Sequence, residues 1–275
     1  GAYLYDAQAR TGTYLGIFAR NQWIGEGCNY AQQTQNRLEA WNIVGDGTAT
    51  MLSAVDFGKP NETVRGSYFD VGRKVAFAIT ARSMDPMYAI SFADRTKLTI
   101  LSAIDGLSGD MDLFRPVEGG QYLLAVGRDT GSACAGYVPG TGGTGGKSGD
   151  PGMPTTWSNQ ISVSLIDVRD LSKIRLVQRK CLDIANAGWV SSDVTWNLDQ
   201  AHKMIGLESD GTTNVLTVPV SYSVRDPSAS DGWYYYRYET AVGIMSWDLG
   251  QYSDTLPPEQ QNVIATPGHF VHPNG

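Results

Sequence analysis

The chain has 275 residues, 41% hydrophobic and 18% charged, with a formal net charge of −7. That size and apolar content support one large β domain or two small ones, each with a real core. The acidic balance, with no basic cluster, argues against a nucleic-acid partner. No uncharged apolar run approaches the ~20 residues of a membrane helix.

Low charge, 32 glycines and many Tyr, Thr and Ser suit an all-β chain of the kind often found outside the cell. No signal peptide is present, as in a mature or trimmed chain, so its absence is not evidence for the cytoplasm. The three cysteines, Cys28, Cys134 and Cys181, form no CxxC pair, and an odd count leaves at least one without a partner in the chain.

In chain order, period-two alternation and short apolar runs dominate. Gly1–Tyr5 and Thr13–Ala19 form a first strand pair, followed by Leu38–Ile43 and Thr50–Asp56. Gly66–Asp70 and Lys74–Thr80 precede Met87–Phe92 and Thr99–Asp105. Asp112–Pro116 and Gln121–Gly127 precede Ile161–Val168 and Arg175–Asp183. His202–Glu208 and Val215–Val220 precede Val242–Leu249 and Asn262–Thr266, where the closing Asp of the other units is missing. One hairpin cannot bury its own apolar face, so such copies must stack.

Each unit is thus four antiparallel strands, a to d. The expected fold is an all-β propeller with four readable blades, approximately 1–57, 58–106, 107–184 and 185–267, and a tail at 268–275. A sandwich also accounts for many short strands, but not for repetition of one four-strand unit.

Long insertions fall between strands b and c at Asn21–Asn36, Arg128–Asn159 and Ser221–Arg237. Blade geometry puts b–c loops on one face, which marks that face as functional. Its aromatic residues are Trp23 and Tyr30, then Tyr137 and Trp157, then Trp233, Tyr234, Tyr235 and Tyr236. Large amphipathic rings suit recognition of protein or sugar, although alternate tyrosines also extend a strand. Cys134 and Cys181 belong to the same blade, so a disulfide between them would anchor the Gly-rich loop, with Cys28 left over.

Chemistry is sparsely marked. The run ending Gly146-Lys147-Ser148 is a near miss for a phosphate loop, because Thr141 stands where a Gly is required. The Pro-rich segment after it is also a poor helix start. Asp105, Asp110 and Asp112 on one d–a connection are the candidate calcium ligands. The ion wants about six to eight oxygens, and solvated turn carboxylates are the plainer account. No other cofactor is implied. No nucleophile elbow or zinc-protease pattern is present.

Three segments in order carry a resemblance. They are Thr80-Ala-Arg-Ser-Met-Asp-Pro-Met-Tyr-Ala-Ile-Ser-Phe92, Leu123-Leu-Ala-Val-Gly-Arg-Asp-Thr130 and Ile161-Ser-Val-Ser-Leu-Ile-Asp-Val-Arg-Asp170. Over roughly residues 60–220 the series resembles secreted bacterial proteins with a C-terminal β-propeller domain distantly related to WD40 repeats. Asp193, Trp196 and His202-Lys203 correspond to that family's next motif, with extra residues between Trp196 and His202. The resemblance implies a secreted or envelope-attached propeller and supplies no reaction or catalytic residues. Such proteins are expected to have more blades, and His269–Gly275 looks like the lead-in to another. Either four blades close alone, with a tail that latches, or further blades complete the ring.

The expected function is a secreted or cell-surface, non-catalytic scaffold that binds a protein partner or joins an extracellular assembly. A polysaccharide hydrolase with acids in the central channel and a carbohydrate-binding module are the alternatives.

Overall fold

The computed structural model of the chain describes residues 2–10, 12–26, 29–81, 85–107, 110–129, 160–182, 187–195, 201, 203–209, 214–225, 236–265 and 269–271. The first sheet runs β1 (Ala2–Arg10), β2 (Thr13–Glu26), β3 (Asn29–Ile43) and β4 (Ala49–Phe57) in spatial order. The second runs β5 (Thr63–Asp70), β6 (Val75–Ala81), β7 (Asp85–Ser91) and β8 (Thr99–Leu107). The third is built from β9 (Asp110–Val117), β10 (Tyr122–Asp129), β11 (Gln160–Asp167) and β12 (Arg175–Cys181). In the fourth, β13 (Ala187–Ser191) and β14 (Gly206–Ser209) both pair with β15 (Asn214–Arg225). Beyond β15 lie β16 (Tyr236–Trp247) and β17 (His269–Val271). Strands that follow one another in sequence lie side by side in the first three sheets, as the hairpin repeat requires.

By contacts the chain divides into two units. The first comprises Gly1–Leu107, Phe114–Leu123 and Asp167–Arg175, and the second comprises Ser108–Leu113, Leu124–Ile166 and Leu176–Gly275. In the first, Leu15, Ile17, Leu38 and Ala40 of one sheet pack with Ala76, Ala78, Ile90 and Phe92 of the next. Tilted ring pairs, Phe57 with Tyr88 at 5.6 Å and Phe69 with Phe92 at 6.1 Å, close this core. Offset and tilted rings are the arrangements the aromatic quadrupole favours. In the second unit Leu165, Val177, Leu216, Val218 and Met245 are buried. Gly243 of β16 packs so closely on Leu182 that a Cβ there would stand 3.0 Å from both of its methyl carbons.

The second and third units of the repeat follow the sequence reading to within a few residues. The departures concern the first and fourth. Asn21–Asn36, expected as a loop, is mostly strand, because β2 and β3 stay in one register from Thr13↔Asn42 to Glu26↔Asn29. The two ends of Ser221–Arg237 are likewise strand, with Ser221↔Thr240 through Arg225↔Tyr236 paired. Backbone pairing, once in register, runs on through polar residues that have little strand preference of their own. The fourth sheet also gains β13, which pairs with the far half of β15. The tail, expected either to latch or to lead into another blade, supplies β17, which pairs with β16 at Val242↔Val271. No helix among the described residues is long and apolar enough to cross a membrane.

Candidate binding surface

The β2–β3 hairpin outruns its own sheet. β1 stops pairing at Arg20 and β4 at Asn36, so the segments beyond them continue as a two-stranded ribbon. Strand alternation sorts its residues. Asn21 and Trp23 share one face with Thr34 and Gln32, their cross-strand partners. Gln22 and Ile24 share the other with Gln33 and Ala31. Trp23 is 70% exposed and Ile24 46% exposed, so among the described side chains each face carries one large apolar group in solvent.

A two-stranded ribbon is marginal in water, so something must brace it. Asn61, in the turn before β5, does so at the ribbon's base. Its side-chain oxygen accepts from the Thr34 N–H at 2.9 Å, and its own N–H donates to the Thr34 carbonyl at 2.8 Å. Asn61 holds φ +66° to reach both groups, a left-handed conformation that Asn tolerates better than most residues. The Thr34 hydroxyl donates to Asn21 Oδ1 at 2.7 Å, tying the two ribbon strands together. The Gln35 amide donates to the Phe57 carbonyl at 3.0 Å.

One turn back, Arg20 grips Glu39 with Nε at 2.7 Å and Nη2 at 2.5 Å. The Trp41 indole N–H donates to the same carboxylate at 3.0 Å. Glu39 is fully buried, and its hydrogen bond to Arg20 holds that guanidinium's pKa above its ordinary value. Paired, bidentate and hydrogen-bonded, this is the arrangement in which a buried carboxylate is tolerated. The ribbon therefore stands on a fixed base, and binding through it would cost little ordering entropy.

In the second unit β15 and β16 are also long. Tyr238 on β16 is 76% exposed. Beside it Tyr222 is buried, and its hydroxyl donates to Glu239 Oε2 at 2.7 Å. Of the other aromatic candidates, Tyr30 and Tyr236 lie in β3 and β16, but their side chains are outside the described residues. Tyr137, Trp157, Trp233, Tyr234 and Tyr235 lie wholly outside them, as do Cys28 and Cys134.

Among the acids proposed as calcium ligands, Asp105 is exposed on β8. Asp112 is buried on β9 with Arg128 Nε 4.0 Å from its carboxylate. The Asp110 side chain is outside the described residues. Among the described residues, no group of three or more His, Cys, Asp or Glu is placed to hold a metal. Sequence reasoning did not single out Ile24, Glu39, Asn61 or the buried Glu62. A left-handed turn residue in Lys-Pro-Asn-Glu was the one available signal for Asn61. The site offers amides, hydroxyls and exposed apolar groups, which are the materials of recognition.

The family model of the β-propeller domain matches residues 13–256, and the chain belongs to that family. A crystal structure of a Lactobacillus plantarum protein is similar at 12% identity and TM-score 0.40, over 96% of this chain and 86% of that one. A candidate 6-phosphogluconolactonase from Bacteroides fragilis is similar at 10% identity and TM-score 0.38, over 96% and 85%. A eukaryotic initiation factor is similar at 8% identity and TM-score 0.34, over 98% of this chain and 55% of that one. No protein of curated function matches the sequence.

Proposed function

We propose that this β-propeller is a non-catalytic scaffold, secreted or displayed on a bacterial cell surface, that binds a protein partner. The observation that carries the proposal is the β2–β3 ribbon, braced at its base and exposing Trp23 on one face and Ile24 on the other. A partner that buries both must enclose the ribbon in a cleft, which a folded protein does readily. Tryptophan at the centre of such a contact is the typical hot spot, worth about 2 kcal/mol or more on truncation. Tyr238 supports a second contact element in the other unit, and Tyr30, Tyr137, Trp157 and Trp233–Tyr236 are proposed to extend these surfaces.

Low charge and the ordered motif series support the extracellular assignment. A Cys134–Cys181 disulfide belongs to the same proposal. Its support is Cys181, buried at the end of β12, the strand that closes the blade holding Cys134 in sequence.

Trp23→Ser and Ile24→Ser, made separately, test the proposal. Each should weaken partner binding at least ~10-fold, the equivalent of about 1.4 kcal/mol. A sugar stacked on the indole would use one face only, so loss of binding in Trp23→Ser with none in Ile24→Ser would assign the site to glycan instead.

A further inference from the structure

Residues 40–56 of the first sheet and 89–105 of the second match without a gap, each stretch ending in Leu-Ser-Ala, an aliphatic residue and Asp. The backbone agrees with the match. The Ile43 N–H donates to the Gly12 carbonyl at 3.0 Å, and the equivalent Phe92 N–H donates to the Lys74 carbonyl at 2.9 Å. Equivalent positions of the two sheets can therefore be compared directly.

In the second sheet, Val64, Ile90, Phe92 and Leu98 pack on Leu15, Ile17, Leu38 and Ala40 of the first. Leu4, Trp41, Ile43 and Ala49 hold the same places in the first sheet. There the burial is lost. Phe92 is 2% exposed and Val64 6%, but Ile43 is 43% exposed and Leu4 52%. Ala49 is exposed as well, and Trp41 is half-buried. The charges on this face, Arg20 with Glu39 and Arg37 with Asp56, are paired with one another. Covering the face thus strands no lone ion.

The fourth sheet carries the complementary kind of face. Alternation puts Leu216, Val218, Met245 and Trp247 on the side where Gly243 packs on Leu182, and all four are buried. Thr217, Pro219, Val242 and Ile244 point the other way and are only half-buried. The same side of the second sheet, Phe77, Ile79, Met87 and Ala89, is 0% exposed. Sheets of a repeat bury such faces against neighbours of their own kind.

We infer that the outer face of the first sheet docks on the outer face of the fourth sheet in a second copy of this chain, as consecutive sheets stack within one copy. Four strands about 4.8 Å apart and ~20 Å long give a footprint of about 400 Å² per face. Two copies joined head to tail at both faces bury about 800 Å² each, the size of a standard stable interface. The contact leaves Trp23 and Ile24 of the ribbon unused.

Sedimentation of the full chain at ~50 µM, above the Kd of typical contacts of this size, tests the inference. The wild type should have the mass of two chains. Ile43→Asp changes an exposed side chain, so it should keep the wild-type circular dichroism and fall to the mass of one chain. Ile244→Lys keeps an apolar stem over the fourth sheet and should also fall to one chain. An equal mixture of these variants should regain the two-chain mass, because each supplies the face the other lacks. If Ile244→Lys does not fold, Val242→Thr takes its place and should weaken association at least ~10-fold. Trp23→Ser, altered only in the ribbon, should associate as the wild type does. A one-chain mass for the wild type overturns the inference. So does a two-chain mass in Ile43→Asp or Ile244→Lys alone, wild-type association in Val242→Thr, a one-chain mass in the mixture, or loss of association in Trp23→Ser.

Discussion

Two buried polar side chains show how single residues hold this fold together. Gln178 on β12 is 1% exposed and acts as a substitute peptide group. Its Oε1 accepts from the Ile264 N–H at 2.6 Å, and its Nε2 donates to the Gln261 carbonyl. Both are main-chain groups of a segment that makes only an isolated bridge, Trp247↔Ile264, to β16. Gln178→Ala strands two buried backbone groups and should cost about 2–3 kcal/mol. Faster hydrogen exchange at the Ile264 N–H would be its signature.

Asp167 is the second case. Burial alone would raise its pKa, but hydrogen bonds from the Arg169 side chain and N–H, and from Arg175, outweigh burial and hold it below the ordinary carboxylate value. A folded-state pKa below the unfolded one adds stability above the unfolded value, and that stability is lost as pH falls through the folded one. Urea midpoints measured from about pH 4 downward should therefore fall more steeply in the wild type than in Asp167→Asn. Equal slopes would mean that this carboxylate is not held down by its arginines.

At the scale of elements, the second blade was legible because its turns are short and its strands are short apolar runs bounded by polar turns. Strands β5 to β8 fall within a few residues of the sequence reading. The β2–β3 ribbon was not, because its sequence, Asn21-Gln-Trp-Ile-Gly-Glu26 with Gln32-Gln-Thr-Gln-Asn36, reads as a polar loop. Its strand character comes from continuous pairing and from Asn61, 27 residues away from Thr34. Such a contact leaves no local trace in composition or period. The same holds for Glu39, whose grip on Arg20 spans 19 residues.

The brace can be tested directly. Asn61→Ala loses the Thr34 cap and forces a Cβ without polar compensation into the left-handed region, at a cost of about 1–2 kcal/mol. Asn61→Gly keeps the conformation and loses only the cap, so it should cost less. Both should speed exchange of the Thr34 N–H, and an unchanged rate would remove Asn61 from the account.

For the whole molecule, the repeated hairpin fixed the architecture in advance and the chemistry hardly at all. Four-stranded antiparallel sheets recur as the repeat demands, and the family match over residues 13–256 agrees with them. The proposed function rests on what departs from the repeat: a hairpin that outruns its sheet, and exposed apolar residues at its two faces. These features depend on where neighbouring strands stop, which repetition alone does not reveal.

The central claim is that the ribbon is a protein-binding element used on both faces. Photo-crosslinking tests it most directly, with a photoreactive side chain placed at position 23, at 24, or at 46 in the exposed turn after β3, on otherwise native cells. Positions 23 and 24 should yield the same discrete protein adduct, and position 46 should not. Adducts at none of the three, or equally at all three, would contradict the claim.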